Sequence, residues 1–409
     1  MEKKDKNLNV PNLRFPEFSG EWEKFRNCTL FKVISEKNKN YEFSTVLSAS
    51  QTEGMVLRDS LGIDIKFEED SIKTYKIVRN GDYVAHLRSF QGGFAFSDKT
   101  GVCSPAYTIL RPSETISYGF LKPYFMSRKF IDSLRIVTYG IRDGKSISVE
   151  EWLKLYTCIP KKNEQQKISK FLRLIDNRIK TQKKIIEDLK KLKDAIAEKL
   201  FCAPEEESPE LRIVNSSDRW ISYRLKDVCQ RVSERNSQGL SSLVLTIAAQ
   251  YGLVSQTDFF NKSVASENLS NYYLIQKGDF AYNKSYSREY VWGAVKRLEL
   301  YEKGVLSPLY ICFRPNPLIV NSDFLSHYFE THKWHNGIAQ IAGEGARNHG
   351  LLNVSISDYF ATLHRLPGLA EQKKIASYLN LLSDKISLAN KELKCYSSQK
   401  QYLLARMFI

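Results

Sequence analysis

The chain states its plan twice. Val46-Leu47-Ser48-Ala49-Ser50-Gln51-Thr52-Glu53-Gly54 returns 198 residues later as Val244-Leu245-Thr246-Ile247-Ala248-Ala249-Gln250-Tyr251-Gly252. Lys76-Ile77-Val78-Arg79-Asn80-Gly81-Asp82-Tyr83 is answered by Tyr273-Leu274-Ile275-Gln276-Lys277-Gly278-Asp279-Phe280. Leu110-Arg111-Pro112 is answered by Phe313-Arg314-Pro315. The ends match best: Ile159-Pro160 with Leu366-Pro367, and Glu164-Gln165-Gln166-Lys167-Ile168 with Glu371-Gln372-Lys373-Lys374-Ile375, all at an offset of 207. A repeat at half the chain length calls for two copies of one supersecondary plan. The 409 residues then divide as two modules, each followed by a helix.

The helices carry the clearest periodicity. In the first, apolar residues recur at Ile168, Leu172, Ile175, Ile179, Ile186, Leu189, Ile196 and Leu200, with Gln182 and Lys193 filling the missing slots. Steps of four and three define a heptad seam. The second repeats it at Ile375, Leu379, Leu382, Ile386, Ala389, Leu393, Tyr396, Lys400, Leu403 and Met407. A lone apolar stripe is unstable in water. The expectation is therefore an antiparallel coiled coil, with the modules at opposite ends of a rod about 60 Å long, or about 18 base pairs of B-DNA. The modules read as mainly β, because short Val/Ile/Tyr/Phe runs alternate with Gly, Pro, Asn and Asp turns. Some helix is expected around Tyr118–Leu134 and Asp323–Trp334. The fold class is α+β: two pseudo-repeated, mainly-β domains with some helix, separated by two long α-helices. The expected boundaries are a terminal segment 1–20, a first module 21–160, a helix 161–203, an acidic Pro-bounded linker 204–217, a second module 218–366 and a helix 367–409.

Charge narrows the partner. Lys and Arg number 61 against 46 Asp and Glu, a net +15. Such an excess points to a polyanion, nucleic acid first. Seven Cys lie scattered without a C-x-x-C pair, which suits a reducing compartment rather than a disulfide framework. With no apolar h-region after Met1 and no run of 18 apolar residues, the expectation is a cytoplasmic protein without a membrane span.

Signatures of chemistry are weak. Gly140-Ile141-Arg142-Asp143-Gly144-Lys145-Ser146 has three residues between its glycines where a P-loop has four. Gly343-Glu344-Gly345-Ala346-Arg347 lacks the third glycine of a dinucleotide fingerprint. His327, His332 and His335 lack a completing Cys or carboxylate pattern, so no metal site is expected. The chain reads as a binder.

Contacts for nucleic acid are expected at three places in each half. After each Gly-Asp comes a basic, aromatic-interleaved stretch, with Arg88, Ser89 and Gln91 in the first half and Lys284, Ser285 and Arg288 in the second. Before each helix comes a Gly-flanked, Arg-bearing loop, with Tyr139, Arg142 and Lys145 in one and Arg347, Asn348 and His349 in the other. Gln51 and Gln250 precede the glycines of the first repeated segment. Arg pairs bidentately with guanine, Asn or Gln with adenine, and Ser or Lys holds phosphate. Helix 161–200 carries 13 Lys/Arg against 6 Asp/Glu, a net +7 suited to phosphates or a partner subunit.

These features together resemble the specificity subunit of type I restriction-modification systems. The resemblance rests on the opening Val10-Pro11-Asn12-Leu13-Arg14-Phe15-Pro16-Glu17-Phe18-Ser19-Gly20-Glu21-Trp22, on the two matched helix starts, and above all on the double layout. Lys161 stands where the family more often has a second proline. The resemblance implies two target-recognition domains, each reading half of a bipartite double-stranded DNA site. It implies a coiled coil that sets the spacing and binds two modification subunits. Cofactors would be absent from this chain: S-adenosylmethionine sits on the modification subunits, and ATP and Mg on the restriction subunits. Two rival readings are a non-catalytic scaffold whose duplicated domains bind proteins, and an enzyme using the loop at 140–146.

Overall fold

The computed structural model describes residues 9–50, 53–61, 69–86, 93–139, 146–213, 218–248, 252–260, 268–287, 290–342 and 350–409. The chain forms two compact units. The first comprises Met1–Lys183 with Lys391–Ile409, and the second Lys184–Asn390. Each unit thus takes one module and a stretch of both long helices.

In the first unit a four-stranded antiparallel sheet runs Phe31–Ile34, Thr108–Pro112, Tyr83–Ala85, Phe94–Phe96. Its strands Tyr83–Ala85 and Phe94–Phe96 are buried on both faces, so they read as unbroken apolar runs. The period of two still sorts them. Tyr83, Phe94 and Phe96 join an aromatic core with Phe31, Phe125, Phe130 and Trp152. Val84 and Ala95 face the other way, onto Leu47, Met55, Val78 and Cys103. The second unit repeats the order with Cys229–Arg231, Ile311–Pro315, Phe280–Asn283 and Ala294–Arg297. There Phe280 and Tyr282 face a core in which Tyr282 stacks on Tyr359 at 4.6 Å and 6°. Around each sheet lie three matching two-stranded ribbons, among them Glu23–Arg26 with Tyr156–Ile159 and its counterpart Ile221–Arg224 with Leu363–Leu366. The expected helices appear as short pieces, Leu121–Phe125 and Arg128–Ser133 in one unit and Ser322–Tyr328 in the other, where a further helix, His335–Ile341, begins just beyond the expected stretch.

The long helices run Lys162–Leu200 and Leu369–Met407, 39 residues each. They pack antiparallel, since partners on the second helix fall in number as those on the first rise. Within the first unit Asp176 holds Lys400 at 2.6 Å, the Arg178 guanidinium lies 4.5 Å from the Tyr396 ring centre, and Gln182 Nε2 donates to Glu392 Oε2 at 3.0 Å. Ile168, Leu172, Ile175 and Ile186 are buried, with Ile179 and Leu189 half-buried. On the partner helix Ile375, Leu379 and Leu403 are buried, and Leu382, Ile386 and Leu393 are half-buried. Ile196 packs with Ile375, Leu379 and Leu382 in the second unit's core. The polar slots Gln182 and Lys400 find partners across the seam, which keeps the register without apolar side chains there.

The matched helix starts are fasteners. Gln165 Nε2 donates to the carbonyls of Pro160 at 2.8 Å and Thr115 at 3.0 Å, and its Oε1 accepts from the Ser117 amide at 2.8 Å. Gln372 repeats all three bonds with Pro367, Ile319 and the Asn321 amide. Glu164 takes the Arg14 guanidinium bidentately at 2.8 and 2.7 Å, and Glu371 takes Arg212 at 3.0 and 2.5 Å. Leu13 N donates to Arg406 O, and Leu211 N to Lys199 O, both at 2.9 Å. Within the linker, Leu211 and Arg212 thus dock on the helices as Leu13 and Arg14 of the N-terminal segment do. The cause is visible in the spacing, because Leu13-Arg14 stands before Trp22 as Leu211-Arg212 stands before Trp220. Both tryptophans are buried.

Candidate nucleic-acid interface

The repeated Gly-Asp turns set the base of the candidate site. Asp82 Oδ2 accepts from the Arg79 amide at 2.9 Å, and its two oxygens take Arg111 Nε and Nη2 at 2.9 and 3.0 Å. Asp279 repeats this with the Gln276 amide at 2.8 Å and Arg314 at 2.6 and 2.8 Å. The carboxylates are buried, and hydrogen bonding to them raises the Arg111 and Arg314 pKa values above the ordinary guanidinium value. A buried carboxylate is tolerated only with such a full set of donors. Each pair ties the turn before a central strand to the neighbouring strand. It thereby fastens the start of that strand and its register against the neighbour.

In the first unit the stubs of three loops meet at strand Phe94–Phe96. The hairpin Leu47–Ser50 with Gly54–Leu57 brings Gly54 against it, at φ +87°, where a Cβ would come within 2.5 Å of Phe96 O. His86 N donates to Gly93 O at 2.7 Å, closing the base of the stretch 87–92. A Cβ on Gly93 would lie 2.6 Å from Ile147 Cδ1, so this base packs on the hairpin Thr138–Tyr139 with Ser146–Ile147. Tyr139 pairs with Ser146 at the end of that hairpin. Backbone can approach this closely only where glycine stands.

The second unit joins its loops through the backbone. Ser285 pairs with Leu351, Leu352 N donates to Lys284 O at 2.8 Å, and Tyr286 N donates to Gly350 O at 3.0 Å. The Asn283 side chain accepts from Ser285 N at 3.0 Å and shapes the turn. Lys284 is half-buried, while Ser285 and Tyr286 are exposed. Ser287 and Tyr290 exchange backbone bonds at 3.1 and 3.2 Å across 288–289. Two stretches whose paired residues lie 64 to 68 positions apart in sequence thus share one edge.

Of the residues proposed for contact, Gln51, Arg88, Ser89, Gln91, Arg142, Lys145, Gln250, Arg288, Arg347, Asn348 and His349 lie outside the described residues. Their flanks are what the structure brings together. The sequence offered no sign that the basic stretch and the pre-helix loop of one half are neighbours, since that contact depends on sheet topology.

His327 stands apart from His332 and His335, whose rings meet edge-on with centroids 5.0 Å apart. His327 Nε2 lies 2.8 Å from Asn380 Oδ1, and His332 Nδ1 lies 2.7 Å from Glu198. Burial pulls the His335 and His364 pKa values down to about 4, so both rings are neutral at pH 7. No group of three or more His, Cys, Asp or Glu fit to hold a metal occurs among the described residues. Burial pushes the Cys103 and Cys312 thiols up to about 12, which leaves them protonated and poor nucleophiles. No helix of the described residues is long and apolar enough to cross a membrane.

No protein-family model matches the chain, and no curated protein matches it in sequence. Solved structures do. A chain from work on complex assembly and conformational transition of the type I R-M system superposes with a TM-score of 0.56 at 14% identity, covering 95% of this chain and 97% of that one. The S subunit of a type I restriction-modification system from M. genitalium superposes with a TM-score of 0.54 at 15% identity, covering 98% and 99%. Along its full length, then, this chain has the fold of a type I restriction-modification S subunit.

Proposed function

We propose that this chain is the DNA-reading specificity subunit of a type I restriction-modification complex and carries out no chemistry itself. The observation that carries the reading is the duplication: one loop-bearing module occurs twice on two antiparallel helices in a chain of net charge +15. Each loop cluster reads one half of a bipartite double-stranded site. Arg88, Gln91, Arg142, Arg288, Arg347 and Asn348 supply the side chains suited to base edges, and Lys145, Lys284 and Ser285 those suited to phosphates. The paired helices set the distance between the halves and dock two modification subunits, which hold S-adenosylmethionine. Restriction subunits supply the ATP- and Mg-dependent steps. The complex works in the cytoplasm, where its DNA is.

Selection from a random duplex pool by the chain together with modification subunits tests this. The expected product is a two-part site with a fixed gap. Recovery of one contiguous block, or binding indifferent to DNA sequence and salt, would favour a protein-binding scaffold instead.

A further inference from the structure

The first unit contains a cleft of about 710 Å³ between one face of the first long helix and the turn entering helix Leu121–Phe125. Lys162, Lys170 and Arg173 line it from the long helix, and Lys122 from the opposite wall. None of these four cations makes an ion pair among the described residues. The nearby carboxylates are committed elsewhere. Asp176 holds Lys400 at 2.6 Å, Asp98 holds Lys99 at 2.7 Å, and Glu164 holds Arg14. Only Glu114 adds an uncommitted acid to the lining. The Tyr118 ring, 58% exposed, stands edge-on to Phe96 with centroids 5.1 Å apart, and its hydroxyl donates to Asn80 Oδ1 at 2.6 Å. A fixed aromatic plane therefore shares the cleft with four unneutralised cations.

The second unit provides an internal control. Its cleft of about 930 Å³ is lined from both long helices, by Lys190 and Lys193 on one and Asn380 and Asp384 on the other, with Arg297 and His327 opposite. The counterparts of Lys162, Lys170 and Arg173, 207 residues on, are Leu369, Ser377 and Asn380. In its walls Lys296 is held by Glu330 and Arg297 by Asp323 and Glu299, and of the three counterparts only Asn380 lines the cleft. The second unit folds without cations at these three helix positions, so folding does not require them there.

We propose that the first cleft binds a nucleoside phosphate, its base against Tyr118 and its phosphates on Lys162, Lys170, Arg173 and Lys122. The volume lies in the range of about 300–1,000 Å³ usual for small-ligand sites. Aromatic stacking and charge-assisted hydrogen bonds to phosphate are the two interactions that recognise this class. The proposal does not depend on the chain reading DNA.

Fluorescence-polarisation titration of the full chain with N-methylanthraniloyl-ATP tests it, with ATP, pyrophosphate and adenosine as competitors. Saturable binding is expected, displaced by ATP and far less by adenosine. Lys170→Glu with Arg173→Glu should weaken it by about tenfold or more. The milder pair Lys170→Gln with Arg173→Gln should act in the same direction, with an unchanged far-ultraviolet dichroism spectrum as the check on folding. Lys193→Glu in the second cleft should leave binding as it was. Absence of saturable binding, or equal binding by the charge-reversed chain, overturns the proposal. So does a result in which only affinity for random duplex DNA falls, since the cleft would then seat a DNA backbone.

Discussion

The two units solve the same folding problem with the same residues and diverge where nothing in the fold holds them. Asp82 and Arg111 recur as Asp279 and Arg314, Arg14 and Glu164 as Arg212 and Glu371, and Gln165 as Gln372, each with matching bonds. By contrast Lys400 is paired with Asp176, whereas the position matching Asp176 in the second half is Ser383. The loop stretches differ in length and content, and the two clefts differ in their free charge. The difference teaches which motifs to read as structure. Buried polar groups that repeat with their partners are fasteners, and the divergent surface above them is free to specialise.

The comparison can be broken most directly in the helix seam. Leu172 and Leu379 are matched and buried, so Leu172→Ala and Leu379→Ala should each cost about 2–5 kcal/mol in urea unfolding, and similar amounts. A large inequality would show that the halves are not built alike. Acid should separate them. His364 is buried against Tyr328 and Thr362, its pKa drawn down to about 4, and its counterpart in the first unit is the non-titrating Thr157. The unfolded chain takes up this proton near pH 6.5 while the folded chain does not. Stability is therefore intact above pH 6.5 and falls as pH drops toward 4, by about 2 kcal/mol at pH 5 from this residue. Hydrogen exchange at pH 5 should show the second unit opening before the first, an order that His364→Gln should reduce; equal opening would contradict it. For the loops, Arg88→Ala or Arg142→Ala should relax one half-site, and Arg288→Ala or Arg347→Ala the other, by about 1–3 kcal/mol per base-reading side chain. If all four weaken every sequence alike, they hold phosphates.

The seam was legible in the sequence because a 3.5-residue period over 39 residues has few alternatives. Sheet order was not, because three-residue strands buried on both faces show no alternation to fix their register. The Asp–Arg pairs could have been proposed from sequence, since both partners repeat. The Pro- and Glu-rich start of the segment 204–217 marks it as a linker by composition, whereas the docking of Leu211 and Arg212 is written only in the Leu-Arg spacing before Trp220. At the candidate interface, residue types marked the loops. Their meeting at Gly93 with Ile147, and at Ser285 with Leu351, depends on contacts that no local pattern encodes.

The central claim is that two DNA-reading modules are held at a distance set by the paired helices. One heptad inserted into each helix, at positions facing each other near Gln182 and Glu392, lengthens the pair by about 10 Å, or about three base pairs. Selection of DNA by the lengthened chain with modification subunits should return both half-sites unchanged, with a gap longer by about that amount. An unchanged gap would show that the helices do not set the spacing.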